Sequence, residues 1–391
     1  LNMSRFVKTC RCMLLLIILC MTTGCWDRRE MDDLALIMGS GIDLTDSGLI
    51  EVSYQIALPT GIPSAVKSGG SQKQVVVISA KGNDLQEALG RIQQQMSRYV
   101  YFGHREVFLI GENYARQGLN QVQDLFTRFP ETRYNSYVLT AYGATAKEIL
   151  STPYPMELIP ALAISKIQSS RQSFSVKFDE FLEAFASPGT SPVTAAIRII
   201  HKGTDKESVA IDRAAVYLGN KLSGFTQPAE LELLRWWIGD PYRLSFTIQA
   251  EPEDKDYKGT ISVKSSESSV HVHTRIVDDH PEAKVIFHTV VKVVSNNTRL
   301  NLDNEKNRKN IEQQFSRQLQ GRFEELLTHV QKGMKSDIFG MGEEIHIEHP
   351  YSWKKIRGSW AEIFPAMPVQ VEVEFQIEQL GKTHGRAYLE K

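Results

Sequence analysis

From residue 34 to 58, apolar and polar positions alternate on either side of Asp46-Ser47-Gly48, which predicts two strands, 34–42 and 49–58, closed by a turn. Gly48 has no Cβ to oppose a positive φ, and Asp46 can bond its own backbone. After the polar loop TGIPSAVKSGGSQKQ, the run VVVISA reads as a buried strand. The period then changes, and Leu85, Leu89, Ile92 and Met96 fall on one face of a helix over 84–96. REVFLIG and YNSYVLTAYG read as strands and LNQVQDLFTRF and ATAKEIL as helices, the last ended by Pro153 and Pro155. This order predicts an α/β unit over 71–150 with partly parallel pairing, inserted into a first domain made of 34–70 and 151–205. Helix is expected from 155 to 186 apart from a turn near 171–175. SPGTSP then breaks it, and VTAAIRII and VAIDRAAVYLGNKLSGF follow as strands.

A different texture begins near residue 206. AELELLRWWIG reads as a short helix, and RLSFTIQA, YKGTISVKSS, SVHVHTRIV and AKVIFHTVVKVVS as strands. In the third of these, Val270, Val272, Thr274 and Ile276 point one way and His271, His273 and Arg275 the other. Such alternation marks an antiparallel sheet covered on a single side. The predicted cover is a helix capped by Asp303, with an apolar stripe of Ile311, Phe315, Leu319, Phe323, Leu326, Leu327 and Val330. A turn-rich segment and a last strand, VQVEVEFQIE, complete a C-terminal domain over 206–391. The predicted class is α+β, mixing α/β and antiparallel sheet, in about three domains.

The first 33 residues follow neither period. Arg5, Lys8 and Arg11 precede or flank the ten-residue run CMLLLIILCM. At a rise of about 1.5 Å per residue, this run falls well short of the roughly 30 Å hydrocarbon core. A basic start, a short apolar run and small polar residues make 1–24 a signal peptide. Thr22-Thr23-Gly24-Cys25 resembles a bacterial lipoprotein processing box, with Thr22 where leucine is usual and Gly24 as the small residue on the cleavage side. On this reading Cys25 begins the mature chain and carries a diacylglycerol, with or without a further N-acyl chain. Residues 25–33 are then a lipidated tether. Two acyl chains suffice for stable attachment, and Trp26 would lie near the headgroups.

Composition narrows the remaining classes. The chain has 391 residues, 42 % hydrophobic and 23 % charged, enough for several cores and unlike a disordered protein. A net charge of -1 lacks the basic excess of a nucleic-acid binder. The four cysteines, Cys10, Cys12, Cys20 and Cys25, all lie in the first 25 residues. The body therefore has no disulfide, no thiolate metal site and no cysteine nucleophile.

Candidate chemistry is sparse. GSGIDL has the glycines of a dinucleotide loop, but Asp43 stands at the third glycine position and a hairpin turn follows. His271 and His273 share a strand face, with His280, His288, His346 and His349 as further imidazoles. No third ligand has a fixed spacing, so a solvated sheet face is the plainer reading and no metal is expected. Glu343, Glu344 and Glu348 read as surface acids. Adjacent Trp236 and Trp237 cannot both occupy one narrow helical stripe. One can fill the core while the other meets a neighbouring domain, a partner or lipid, though burial of both within the domain is the plainer outcome. RYVYFGHREVF gathers Arg98, Tyr99, Tyr101, Phe102, His104 and Arg105 ahead of a strand. Packing or partner contact is favoured there over a hydrolase site built from His104, Arg105 and distant acids.

The stretch GCWDRREMDDLALIMGSGID resembles the opening of the Ger(x)C family, the lipoprotein C-subunits of nutrient germinant receptors in endospore-forming bacteria. YFGHREVFLIGENYARQGL and AAVYLGNKLSGFTQPAELELLRWW resemble later stretches of the same family. The resemblance implies a non-enzymatic, lipid-anchored subunit on the outer face of the spore's inner membrane. It implies three α/β-type domains and two integral membrane partners, the A-type and B-type subunits, with ligand recognition assigned mainly to the B-type. It implies no cofactor beyond the lipid on Cys25. The alternatives left open are a lipid-anchored protein that itself captures a small germinant, and an envelope hydrolase.

Overall fold

The computed structural model describes residues 34–58, 74–128, 134–170, 173–204, 206–239, 241–251, 258–278 and 280–379, together with isolated positions before residue 34. Gly24, Cys25 and Trp26 lie outside the described residues, as does the expected apolar run apart from Met13. No helix among the described residues is long and apolar enough to cross a membrane.

Two sheets organise the described residues. The predicted opening hairpin is present as β1 (Leu34–Leu44) and β2 (Ile50–Ala57), with Gly48 at a φ of 80° in the turn. β3 (Val75–Gly82) returns antiparallel along β2. The chain then alternates through α1 (Leu85–Gln94), β4 (Tyr99–Tyr101), β5 (Val107–Ile110), α2 (Glu112–Gln117), α3 (Asn120–Arg128), β6 (Tyr137–Ala141) and α4 (Ala146–Ser151). Two further helices, α5 (Pro160–Ser169) and α6 (Phe178–Ala186), precede β7 (Val193–Ile200), β8 (Ser208–Leu218) and β9 (Lys221–Phe225). The strand order is β3-β2-β1-β5-β6-β7-β8-β9, with β4 pairing the start of β1. β1, β5, β6 and β7 run parallel at the centre, and antiparallel strands flank them. Strands from 34–70, 71–150 and 151–205 thus share one ladder. That ladder runs past residue 205 to Phe225, because β8 folds back on β7 and β9 on β8.

The GSGID motif turns out to be a helix seat. A Cβ on Gly39 would lie 2.8 Å from Leu150 Cδ2, and one on Gly41 would lie 2.8 Å from Ala146 Cβ. The two glycines therefore let α4 rest directly on β1. Asp43, 3 % exposed, receives hydrogen bonds from the first two backbone amides of α4, Ala146 at 2.8 Å and Lys147 at 3.0 Å. The carboxylate sits at the positive end of that helix and occupies donors that would otherwise be unmatched.

The second sheet has the order β10-β11-β12-β13, with β10 (Ser245–Ala250), β11 (Gly259–Val277), β12 (His280–Asn296) and β13 (Val369–Gln379). The expected strands YKGTISVKSS and SVHVHTRIV are one long strand, carried across their polar middle by register shifts at Ser262/Val263 and Ser265/Glu267. β13 runs parallel to β12, so the sheet is mixed rather than antiparallel throughout. The return path is α7 (Leu231–Ile238) before the sheet and, between β12 and β13, the helix α8 (Glu305–Thr328). The predicted stripe of α8 is buried, from Ile311 through Phe323 to Leu327, and Val330 follows it into a π-helical turn over His329–Met334. The cap is Asn304 rather than Asp303, its side chain accepting from Lys306 N at 2.9 Å. The segment expected to be turn-rich contains α9 (Met341–Glu348), α10 (Pro350–Ile356) and α11 (Trp360–Ile363). Gly340 at positive φ starts the first of these, and Pro350 starts the second.

Replacing Asp43 by Ala leaves two buried amides of α4 without an acceptor. The expected cost is about 2–3 kcal/mol of stability, measured by chemical denaturation of the mature body.

Candidate functional site

The two sheets meet where the SPGTSP loop touches the turn between the π-helical segment and α9. Asp337 lies at the centre, 3 % exposed. Its carboxylate accepts from Met341 N at 3.2 Å, Gly342 N at 2.8 Å and Trp360 Nε1 at 3.0 Å, which ties the turn to α11. Its backbone carbonyl accepts from Ser191 N at 2.6 Å, which ties the turn to the first sheet's side. Ser187 Oγ donates to Glu343 Oε2 at 3.1 Å, and Ser223 Oγ on β9 donates to the Met334 carbonyl at 2.9 Å. The backbones touch at Gly189 and Gly342, where a Cβ on Gly342 would stand 2.7 Å from Gly189 Cα. The breaker residues of SPGTSP therefore do more than end a helix, since their small size admits the second half of the chain.

Beside this contact lies an open cleft of about 860 Å³, lined by Phe174, Lys177, Glu180, Trp237 and Phe339 among others. The Glu180 carboxylate accepts from Lys177 N at 2.8 Å, closing the cap of α6. The wall mixes aromatic, aliphatic and small polar residues, and Lys177 and Glu180 are the charged ones.

The adjacent tryptophans do not reach the surface. Trp236 is 1 % exposed and lies among Phe246, Phe287 and Phe323, with centroids 5.2 to 5.5 Å away. Trp237 is 7 % exposed, meets Phe287 edge-on at 5.1 Å and stacks on Phe339 at 3.9 Å. Proposing either ring as a contact for a partner or lipid is therefore corrected: both rings pack on Phe287 of β12 and Phe323 of α8, which themselves stack at 3.8 Å. Trp237 instead supports the junction turn from below.

His104 and Arg105 are separated by environment. His104 is exposed and stands 6.0 Å from the Tyr101 ring. Arg105 is 3 % exposed, with its guanidinium 5.7 Å from the centroids of Phe102, Phe108 and Phe178. Burial lowers it to about 10, partly opposed by Tyr54, so it stays cationic within an aromatic cage. One is in solvent and the other in the core, and they do not form a shared site. The histidines are likewise dispersed: His288 faces Glu374 at 3.3 Å, His346 faces Glu343 at 3.3 Å, and His349 Nε2 donates to the Thr274 carbonyl at 3.1 Å. Among the described residues, no three His, Cys, Asp or Glu side chains gather as metal ligands. The sequence reading names Asp43 only as a departure from a nucleotide loop and gives Asp337 no role. Only the Gly-x-Gly-x-Asp spacing offered a signal, and only for the first.

Comparison with known proteins gives the class. A model described as the spore germination protein N-terminal domain matches residues 27–199, and the spore germination B3/GerAC-like C-terminal model matches 212–381. The chain belongs to the GerAC/GerBC-like spore germination family. It is 26 % identical to spore germination protein KC of Bacillus subtilis (strain 168), over 94 % of this chain and 95 % of that one. Spore germination protein B3 of the same organism is 26 % identical over 92 % and 94 %. The putative spore germination protein YfkR, also of Bacillus subtilis, is 34 % identical over 54 % and 56 %. The crystal structure of the GerBC protein shares the fold at a TM-score of 0.54 and 21 % identity, covering 87 % of this chain and 96 % of that one.

Burial pushes both Asp43 and Asp337 from an ordinary value of 3.8 up to about 6, against the pull of their amide donors. The folded chain therefore binds more protons than the unfolded chain between about pH 4 and 6, and stability falls as pH rises through that window. Each carboxyl contributes on the order of 2–3 kcal/mol to the fall. Glu148, held low by its bond to Lys202, acts in the opposite sense and loses its share only as pH drops through the carboxylate range. Melting temperatures from pH 4 to 6 are expected to decline, and Asp337→Asn is expected to reduce that slope by about half while lowering the whole curve.

Proposed function

We propose that this chain is a lipid-anchored, non-catalytic subunit of a spore nutrient germinant receptor. It acts with integral membrane A-type and B-type subunits at the outer face of the spore's inner membrane. One observation carries the reading: two spore germination models tile residues 27–199 and 212–381, and the first begins two residues after Cys25. The basic start, the apolar run and the Gly24-Cys25 step supply the anchor in that place. A diacylglycerol thioether there confines the body to the membrane surface and raises its effective concentration near membrane partners. The junction between the sheets suits such a role, since close backbone packing and hydrogen bonds hold the two halves together there.

Replacing Cys25 by Ala in sporulating cells tests the anchor. The expected result is loss of the protein from the membrane fraction together with a defective response to nutrients. Normal membrane recovery and normal germination would remove anchoring from the account. The open cleft of about 860 Å³ beside Trp237 and Phe339 favours a second reading, direct capture of a small germinant. Titration calorimetry of the mature body with germinant amino acids and sugars separates the two. The subunit role predicts no heat, and a saturable signal abolished by Trp237→Ala would favour capture.

A further inference from the structure

The ribbon made by β4 and the first residues of β1 presents aromatic rings at the point where the tether enters the fold. Leu34, Ala35 and Leu36 pair in parallel with Tyr99, Val100 and Tyr101. Ala35 and Ile37 face the core at 4 % and 0 % exposure, so Leu34 and Leu36 lie on the opposite face. In-register parallel partners share a face, which puts Tyr99 and Tyr101 beside those leucines. The two tyrosines are 55 % and 40 % exposed. The outward face is therefore apolar near the strand axis and ends in two phenol rings, with Arg98 and His104 exposed on either side.

Chain length lets this face reach the membrane. Nine residue steps separate Cys25 from Leu34, and an extended chain covers at most about 30 Å over that distance. We propose that the Tyr99/Tyr101 face is the lipid-facing surface of the folded body, its phenol rings seated among the headgroups beside the anchor. The proposal rests on the lipid-anchor reading of Cys25. Charge does not drive the contact: the tether carries Asp27, Glu30, Asp32 and Asp33 against Arg28 and Arg29, which is no polybasic segment. Amphipathic rings at the water–hydrocarbon boundary supply the attraction instead. Contact should therefore survive high salt and vesicles without anionic lipid, whereas an electrostatic contact would be screened.

The body has no cysteine, so the test can use single introduced thiols in the full lipidated chain. Tyr101→Cys and, as a solvent reference, Tyr351→Cys on α10, which is 83 % exposed in the native chain, are spin-labelled and reconstituted in phosphatidylcholine vesicles. Collision with oxygen is then compared with collision with a water-soluble nickel chelate. The expected result is an oxygen-to-nickel ratio several-fold higher at position 101 than at 351, unchanged in high salt. Equal ratios at the two positions, with the chain still bound to vesicles, overturn the surface while leaving the anchor intact. Shielding of position 101 from both reagents also overturns it, because a protein surface rather than lipid then covers the face. Uptake of label by the parent chain, or its failure to remain with vesicles, shows Cys25 to be free and removes the anchor reading itself.

Discussion

A carboxylate sealed from water must be given donors by the chain, and at Asp337 those donors come from the turn ahead of α9 and from the indole of Trp360. The same residue offers its carbonyl to Ser191, so one position joins a helical layer of the second sheet to the loop that closes the first. Everything around it is small or flat: Gly189 against Gly342 on one side, Phe339 stacked on Trp237 on the other. The relation between the halves therefore depends on a buried polar centre wrapped by close backbone packing. A partner or ligand acting on one half has this contact as one route to the other.

Asp43 repeats the device inside the first sheet. A carboxylate at the end of β1 holds the start of a helix about a hundred residues later, and two glycines upstream let that helix lie flat on the strand. Read as a linear motif, Gly-x-Gly-x-Asp suggests a nucleotide loop. Read in space, it is a fitting between one strand and one helix. In this chain the motif thus has a structural cause that needs no ligand.

What the sequence disclosed follows from how each feature is encoded. The β1–β2 hairpin and the stripe of α8 are local periodicities, and both could be read directly. The direction of β13 is not local, because alternation looks the same whether a strand pairs parallel or antiparallel. YKGTISVKSS and SVHVHTRIV read as two strands because a polar run parts them, yet bulges carry β11 straight through it. Trp236 and Trp237 suggested a spare ring only while α7 was imagined against a single surface. In the fold both rings have aromatic partners, because Phe287 of β12 and Phe323 of α8 each meet Trp236 and Trp237. The junction was invisible, since Ser191 and Asp337 lie far apart in sequence and share no period.

The parallel pairing of β13 with β12 also governs how the chain can be made. About seventy residues, including all of α8, separate the two strands, so their ladder is a late, non-local closure. Until the last strand is available, the inner face of β12 and the phenylalanine stripe of α8 have no complete partner. The second half therefore has a built-in delay during synthesis, and a stop codon only a dozen residues before Gln379 would leave an open β12 edge prone to aggregation.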